Sequence, residues 1–281
     1  LLSCDVRGSI DDATSRFERS RRSSHMSNPN PSIRRRLGRS RDDGVPTALP
    51  ESLPSRQLAL PIEPARFSSR VPLLPGVVHV SAWLDLDAQR ALVDDFRRWA
   101  LPPAGLRHAR VPSGHLMSVQ SVCLGWHWRP YAYSRTADDS GGAPVKPLPR
   151  ELADLARAAV AIAYGPESAE AKAYAPDAAI VNLYTSGARL GLHQDAEEPS
   201  EAPVVTISLG DACVFRMAGV DRRTGPFTDV ELRSGDLVVF GGPNRRIYHG
   251  VPKVLEDSGP ATLGLPSGRL SITVRETGLV S

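Results

Sequence analysis

APVVTISLGDACVFRMAG, residues 202–219, reads as two short β-branched segments broken by Gly210 and Asp211. Its period is two, with Val, Thr, Ile and Phe alternating and Gly, Pro or Asp closing each run, which is the pattern of strands joined by tight turns. The same pattern extends in both directions. AIVNLYT begins at residue 179, and TDVELR, GDLVVFGG and GRLSITVRE follow downstream. Upstream of residue 179 the period is helical. Ala88, Leu92, Phe96 and Trp99 fall on one helix face behind Asp85 and Asp87, which suit the first turn. A second helix is predicted from about Pro149 to Tyr164, with Leu152, Leu155, Ala159 and Ile162 as its stripe and Gly165 as its stop. Helices followed by many short strands predict a mainly β protein of the α+β kind, a sandwich or barrel with helices packed outside it. No repeat of 20 to 50 residues is visible.

The 281 residues, 41% hydrophobic, suffice for one large domain with appendages. No apolar run approaches the ~20 residues of a membrane-spanning helix and no secretory apolar stretch opens the chain, so a cytoplasmic protein is expected. Three cysteines without a C-x-x-C pair argue against a disulfide framework or zinc knuckle. The net charge of +3 is uneven: residues 1–43 hold ten Arg against six acids, leaving the remainder about neutral. Residues 1–70, rich in Arg, Ser and Pro, read as a disordered tail, with non-specific phosphate binding as the sharper alternative. Residues before Met26 receive no functional weight. Folding is expected to begin at 71, in VPLLPGVVHVSAW.

Within LGLHQDAEEP, residues 190–199, His193 and Asp195 stand two apart, a spacing that turns both toward one point on a strand. A lone H-x-D is common by chance. GDLVVFGGPNRRIYHG adds His249 just after an apolar strand and a Gly-Gly turn. Two histidines and one carboxylate form the set that holds non-haem Fe(II) with open positions, whereas a structural zinc would want four closed ligands. In RLSITVR, Leu270, Ile272 and Val274 alternate with Arg269, Ser271, Thr273 and Arg275. An inward-facing arginine needs an anion, and a carboxylate suits its forked geometry. The two arginines lie roughly 20 Å apart along a strand and would attend different ends of a site. Asn182 and Tyr184 alternate in the same way on VNLYT. MSVQSVCLGWHWRPYAYS, residues 117–134, gathers Trp126, Trp128, Tyr131 and Tyr133 around Arg129. Such a cluster is core in most proteins and a base-stacking surface in some. His115 and His127 read as ordinary polar residues.

The order N-x-Y, H-x-D, a distant H and R-x5-R, with SLG after the first ligand pair and a terminal RETG, resembles the AlkB family of Fe(II)- and 2-oxoglutarate-dependent dioxygenases over about residues 75–281. The resemblance implies a double-stranded β-helix (jelly roll) core at about 179–281, flanking N-terminal helices and a nucleotide-recognition lid at about 111–140, within a domain spanning 71–281. It implies iron on His193, Asp195 and His249, and 2-oxoglutarate held by Asn182, Tyr184 and Arg269, with Ser271 and Arg275 completing that pocket. Ser271 stands where close relatives often have Asn, which removes an amide beside the co-substrate. Trp126, Tyr131 and Tyr133 fall where the family places its lid, Glu197 matches an acid that accepts from a base's exocyclic amine, and Arg222 matches a further substrate contact. The activity implied is oxidative dealkylation of 1-methyladenine and 3-methylcytosine type lesions, in DNA and also RNA, by a monomer. It consumes 2-oxoglutarate and O2, releases succinate, CO2 and formaldehyde, and requires the base to leave its stack. Two rival readings remain: a 2-oxoglutarate-dependent hydroxylase of a small molecule or protein, and a catalytically silent nucleic-acid-binding module that kept the barrel.

Overall fold

The structure, a computed structural model, describes residues 69–265 and 267–280. The tail expected at 1–70 lies outside these residues except for its last two. In chain order the elements are β1 (Arg70–Leu74), β2 (Val77–Val80), α1 (Leu86–Trp99), β3 (Arg107–Arg110), β4 (Leu116–Leu124), β5 (His127–Arg129), β6 (Ala132–Ser134), α2 (Arg150–Tyr164), α3 (Ala169–Ala173), β7 (Ala178–Tyr184), β8 (Leu190–His193), β9 (Val204–Gly210), β10 (Ala212–Met217), β11 (Thr228–Leu232), β12 (Leu237–Phe240), β13 (His249–Leu255) and β14 (Arg269–Arg275). Eight strands form a major sheet in the order β1-β2-β12-β9-β14-β7-β4-β3, and four form a minor sheet, β11-β10-β13-β8. From β7 onward the chain passes repeatedly between the two sheets, which is the jelly-roll winding expected from the sequence.

The central strands of the major sheet are buried on both faces, and their period of two explains how. On β14, Leu270, Ile272 and Val274 pack in the cluster that also holds Leu92, Val93 and Phe96 of α1 and Leu155, Ala159 and Val160 of α2. Val181 on β7, Val205 and Ile207 on β9 and Leu237 and Val239 on β12 face the same helices. The alternate residues face the minor sheet, where Tyr184, Val204, Val238 and Phe240 meet Phe215 and Met217 of β10. Each fully buried aliphatic side chain here contributes about 1.5–3 kcal/mol from the transfer of apolar surface. The helix-facing half thus supplies the anchorage while the inward half is free to carry polar groups.

The helices begin where the sequence indicates. Asp85 caps α1, its Oδ1 accepting from the Ala88 N–H at 2.8 Å. Pro149 is the residue before the first helical position of α2, not that position itself, and Gly165 closes the helix with φ 95°. On the stripe of α2, Ala156, Val160 and Ala163 are more buried than the expected Ile162. The segment expected to form a lid divides in two. Residues Leu116–Leu124 belong to the major sheet, β4 pairing antiparallel with β7, while β5 and β6 make a separate two-stranded hairpin. Helical and strand periodicity alone do not separate a lid from a sheet edge, because both are short alternating runs. No helix among the described residues is long and apolar enough to cross a membrane.

Candidate metal and co-substrate site

Strand register brings the two histidines together. His193 ends β8, His249 begins β13, and the ladder sets them directly opposite each other, with ring centroids 4.5 Å apart. Asp195 lies just beyond β8, its Oδ1 3.7 Å from His193 Nε2. One donor atom from each of the three falls within 4.8 Å of the others. Each imidazole makes its remaining bond to backbone: His193 Nδ1 lies 3.0 Å from the Gly191 carbonyl and His249 Nδ1 3.1 Å from that of Ile247. A carbonyl can only accept, so Nδ1 carries the proton and each Nε2 keeps a lone pair for a metal. Burial, with His193 nearby, pushes His249 down to about 4 from 6.5, so it is neutral near pH 7 as a ligand must be. Burial would raise Asp195, but Arg275 and the two histidines outweigh it and hold the carboxyl well below the usual range. Phe240 and Phe215 flank His249 with centroids at 4.8 and 5.6 Å.

The three side chains lie at a cavity of about 500 Å³ whose lining includes Asn182, Tyr184, Thr206, Ser271 and Thr273 from the major sheet. Register aligns Ser121, Asn182, Ser271 and Ser208 across four adjacent strands, and the Ser121 hydroxyl donates to Asn182 Oδ1 at 2.6 Å. One step along β14, Arg269 is fully buried. Its Nε donates to Ser208 Oγ at 3.1 Å and its guanidinium carbon stands 5.1 Å from the Tyr184 ring centroid, yet Nη1 and Nη2 have no hydrogen-bond partner. Two orphaned charged donors inside a protein call for an anion. A co-substrate carboxylate fits them, and the His-Asp-His donor set fits a divalent iron with open positions.

Arg275 lines the same cavity as Ser271 and Thr273, and protein acids also hold it there. Its Nη2 lies 3.0 Å from Asp195 Oδ2, an ion pair with poor hydrogen-bond alignment, and its Nη1 donates to Glu198 Oε1 at 2.5 Å. Two protein carboxylates therefore already hold it. The expected substrate residues also separate. Tyr131 is 76% exposed and lines the cavity mouth, and Glu197, half-buried, lines it too. Burial and the nearby Glu198 and Asp195 carboxylates push Glu197 above the usual carboxylate range. Trp126 turns away: it is buried, its Nε1 donates to Asp177 Oδ2 at 3.0 Å, and the Arg135 guanidinium stacks 3.5 Å from its centroid. Trp128, two residues on, lines the cavity in its place. Tyr133 points behind the wall, where its hydroxyl donates to Glu198 and accepts from Arg275. Arg222 is exposed and outside the lining, while the next residue, Arg223, is part of it.

Several site residues escaped the sequence reading. Glu198 and Arg245 form a buried pair behind Asp195, and Gln194 ties two loops by donating to the Val220 and Arg246 carbonyls. Glu198 and Arg245 sit in no motif, Gln194 is the unspecified position of H-x-D, and only the fold gives the three their partners. His127, read as an ordinary polar residue, has a structural place outside the cavity. It is buried beside Asp139 at 2.6 Å and Arg107 at 3.1 Å, anchoring the base of the hairpin.

Residues 76–275 match the 2OG-Fe(II) oxygenase superfamily. An alpha-ketoglutarate-dependent dioxygenase AlkB homolog of Caulobacter vibrioides is 37% identical over 209 residues, covering 72% of this chain and 88% of that protein. AlkB of Escherichia coli is 33% identical over 213 residues, covering 74% and 93%. The Arabidopsis thaliana DNA N(6)-methyladenine demethylase ALKBH1D is 34% identical over 72% of this chain, which spans about half (49%) of that relative. Among solved structures, OsALKBH1 superposes with a TM-score of 0.65 at 31% identity, covering 73% of this chain and all of that one. The chain belongs to the 2-oxoglutarate–Fe(II) oxygenase superfamily and, within it, to the AlkB family. Its cofactor set is Fe(II), 2-oxoglutarate and O2.

Proposed function

We propose that this enzyme removes N-alkyl groups from nucleobases in DNA, and in RNA, with 1-methyladenine and 3-methylcytosine as the type substrates. The observation that carries the reading is one cavity whose lining joins the His193–Asp195–His249 set to the aromatic side chains of Trp128 and Tyr131. When bound, iron, 2-oxoglutarate and O2 supply an oxidation of the N-methyl carbon whose hydroxylated product releases formaldehyde, with succinate and CO2 as the other products.

The rest is assigned to the chain's own residues. His193, Asp195 and His249 would hold the metal, and Arg269, with Tyr184 and Asn182 beside it, would orient the co-substrate through its carboxylate. Trp128 and Tyr131 offer stacking surfaces for a base taken out of its helix. Glu197 lines the same mouth and can meet a base's exocyclic amine, while Arg223 can meet a phosphate. Relatives named as acting on DNA N(6)-methyladenine and on tRNA support nucleic acid as the polymer. The same proposal takes the enzyme to be a cytoplasmic monomer.

A panel of methylated and unmethylated DNA and RNA oligonucleotides, assayed by mass for loss of a methyl group, tests it. Loss of methyl is expected only with iron and 2-oxoglutarate, and His193→Ala is expected to abolish it. Turnover of 2-oxoglutarate without any preference for methylated bases would favour a small-molecule or protein hydroxylase. Oligonucleotide binding without turnover would favour a silent binding module.

A further inference from the structure

From the cavity wall at Asp195 and Arg275, a buried cluster reaches back to the hairpin. Asp195, Glu198, Arg245 and Arg275 are each at most 4% exposed. Glu198 Oε1 accepts from Arg275 Nη1 and from the Tyr133 hydroxyl, and its Oε2 faces Arg245 Nη2 at 3.5 Å. Arg275 Nη2 in turn lies 3.0 Å from Asp195 Oδ2. Arg245 spans the loop that carries both acids, donating to the main-chain carbonyls of Asp195 at 3.0 Å and Ala202 at 2.6 Å. Two carboxylates thus balance two guanidiniums. Tyr133 stands on β6 directly across from Trp128, the tryptophan of the cavity lining. Neither Glu198 nor Tyr133 lines the cavity, so both act through other side chains.

We propose that Glu198 is a positioning residue that joins the β5–β6 hairpin to Asp195, so that divalent-metal binding and ordering of the hairpin favour each other. This rests on the metal-site reading of His193, Asp195 and His249. Arg275 holds Oδ2 of Asp195 and leaves Oδ1 on the His193 side, where a cation would sit. Glu198 shares Arg275 with Asp195 and keeps the cluster neutral. Without its charge, Asp195 faces a net positive surround that competes with the metal. The Tyr133 hydroxyl carries the link to the hairpin without altering any charge, and linkage requires the coupling to run in both directions.

The test is Mn(II) affinity by calorimetry, together with hydrogen exchange of residues 127–134 with and without Mn(II), on the full chain. In the natural protein, Mn(II) is expected to slow exchange across the hairpin. Glu198→Gln is expected to weaken Mn(II) roughly 10–100-fold, as loss of an outer-shell partner does, with partial recovery in Glu198→Asp. Tyr133→Phe is expected to bind Mn(II) within about fivefold of the natural protein while its hairpin no longer responds to the metal. Undiminished affinity in Glu198→Gln, or metal-induced protection that persists in Tyr133→Phe, overturns the proposal. If Glu198→Gln does not fold, Tyr133→Phe decides it. If the natural protein binds no Mn(II), the metal-site reading fails and the coupling with it; normal binding with an unresponsive hairpin overturns the coupling alone.

Discussion

Replacing Arg269 with Met should separate co-substrate binding from folding. The guanidinium is fully buried and two of its nitrogens have no partner, so its charge is not part of a structural ion pair. A carboxylate held by Nη1 and Nη2 would make two charge-assisted hydrogen bonds of about 1.5–3 kcal/mol each. Their loss corresponds to about two to four decades of 2-oxoglutarate affinity. At a hundredfold excess over its dissociation constant, 2-oxoglutarate stabilises the natural protein by about 2.7 kcal/mol, or about 5–10 °C in Tm for a chain of this size. In Arg269→Met, the same concentration should raise Tm by less than about 2 °C. Without 2-oxoglutarate, the variant should melt at the natural temperature or above, since Met keeps the packing and removes an unpaired buried charge. Differential scanning fluorimetry with metal present and 2-oxoglutarate varied measures both quantities. A full co-substrate shift in the variant, or a fall of about 10 °C without 2-oxoglutarate, would refute the assignment, the latter by showing a structural pair worth about 3–5 kcal/mol.

His249 makes stability depend on pH. Its folded value of about 4 lies below its ordinary 6.5, so between those values the unfolded chain takes up a proton that the folded chain refuses. Stability should therefore fall as pH drops through that window, by about 2 kcal/mol at pH 5. His127, also lowered by burial, adds a loss of the same sign, while Asp195 contributes only below its ordinary 3.8. Urea melts at pH 7 and 5 should show a smaller difference in His249→Gln than in the natural protein, and equal differences would contradict the buried neutral imidazole. The two tryptophans should behave oppositely: Trp126→Ala should cost about 3–5 kcal/mol by emptying a buried site, while Trp128→Ala should leave Tm nearly unchanged and weaken oligonucleotide binding. Reversed outcomes in melting and fluorescence-anisotropy assays would restore Trp126 to the mouth. Phe240→Ala removes the ring beside His249 and should cost about 3–5 kcal/mol while loosening Mn(II), both readable by melting and calorimetry. Unchanged metal affinity would mean that the imidazole is held by its backbone bond alone.

Where a strand runs through the whole core, its period of two was legible from the residues. RLSITVR assigns its apolar face to the helices and its polar face to the cavity, as β14 does. His193, Asp195 and His249 were legible because ligand chemistry narrows the residue types and the H-x-D spacing narrows their direction. What lay hidden depended on turns and tertiary partners. Trp126 and Trp128 share a face by alternation, yet Gly125, with φ 76°, turns the chain between β4 and β5 and sends Trp126 to Asp177. The acid that Arg275 finds in Glu198 was hidden because position 198 carries no motif. Pairing of β4 with β7 was equally hidden, since a sheet edge and a lid strand have the same local pattern.

The alternation along β14 also bears on how such a protein could change its substrate. Residues that secure the strand against α1 and α2 are interleaved with those that line the cavity, but the two sets share no side chain. Inward positions such as Ser271 and Thr273 can therefore be exchanged during divergence with little penalty to the scaffold, so new specificities lie a few substitutions away without any redesign of the barrel that carries them.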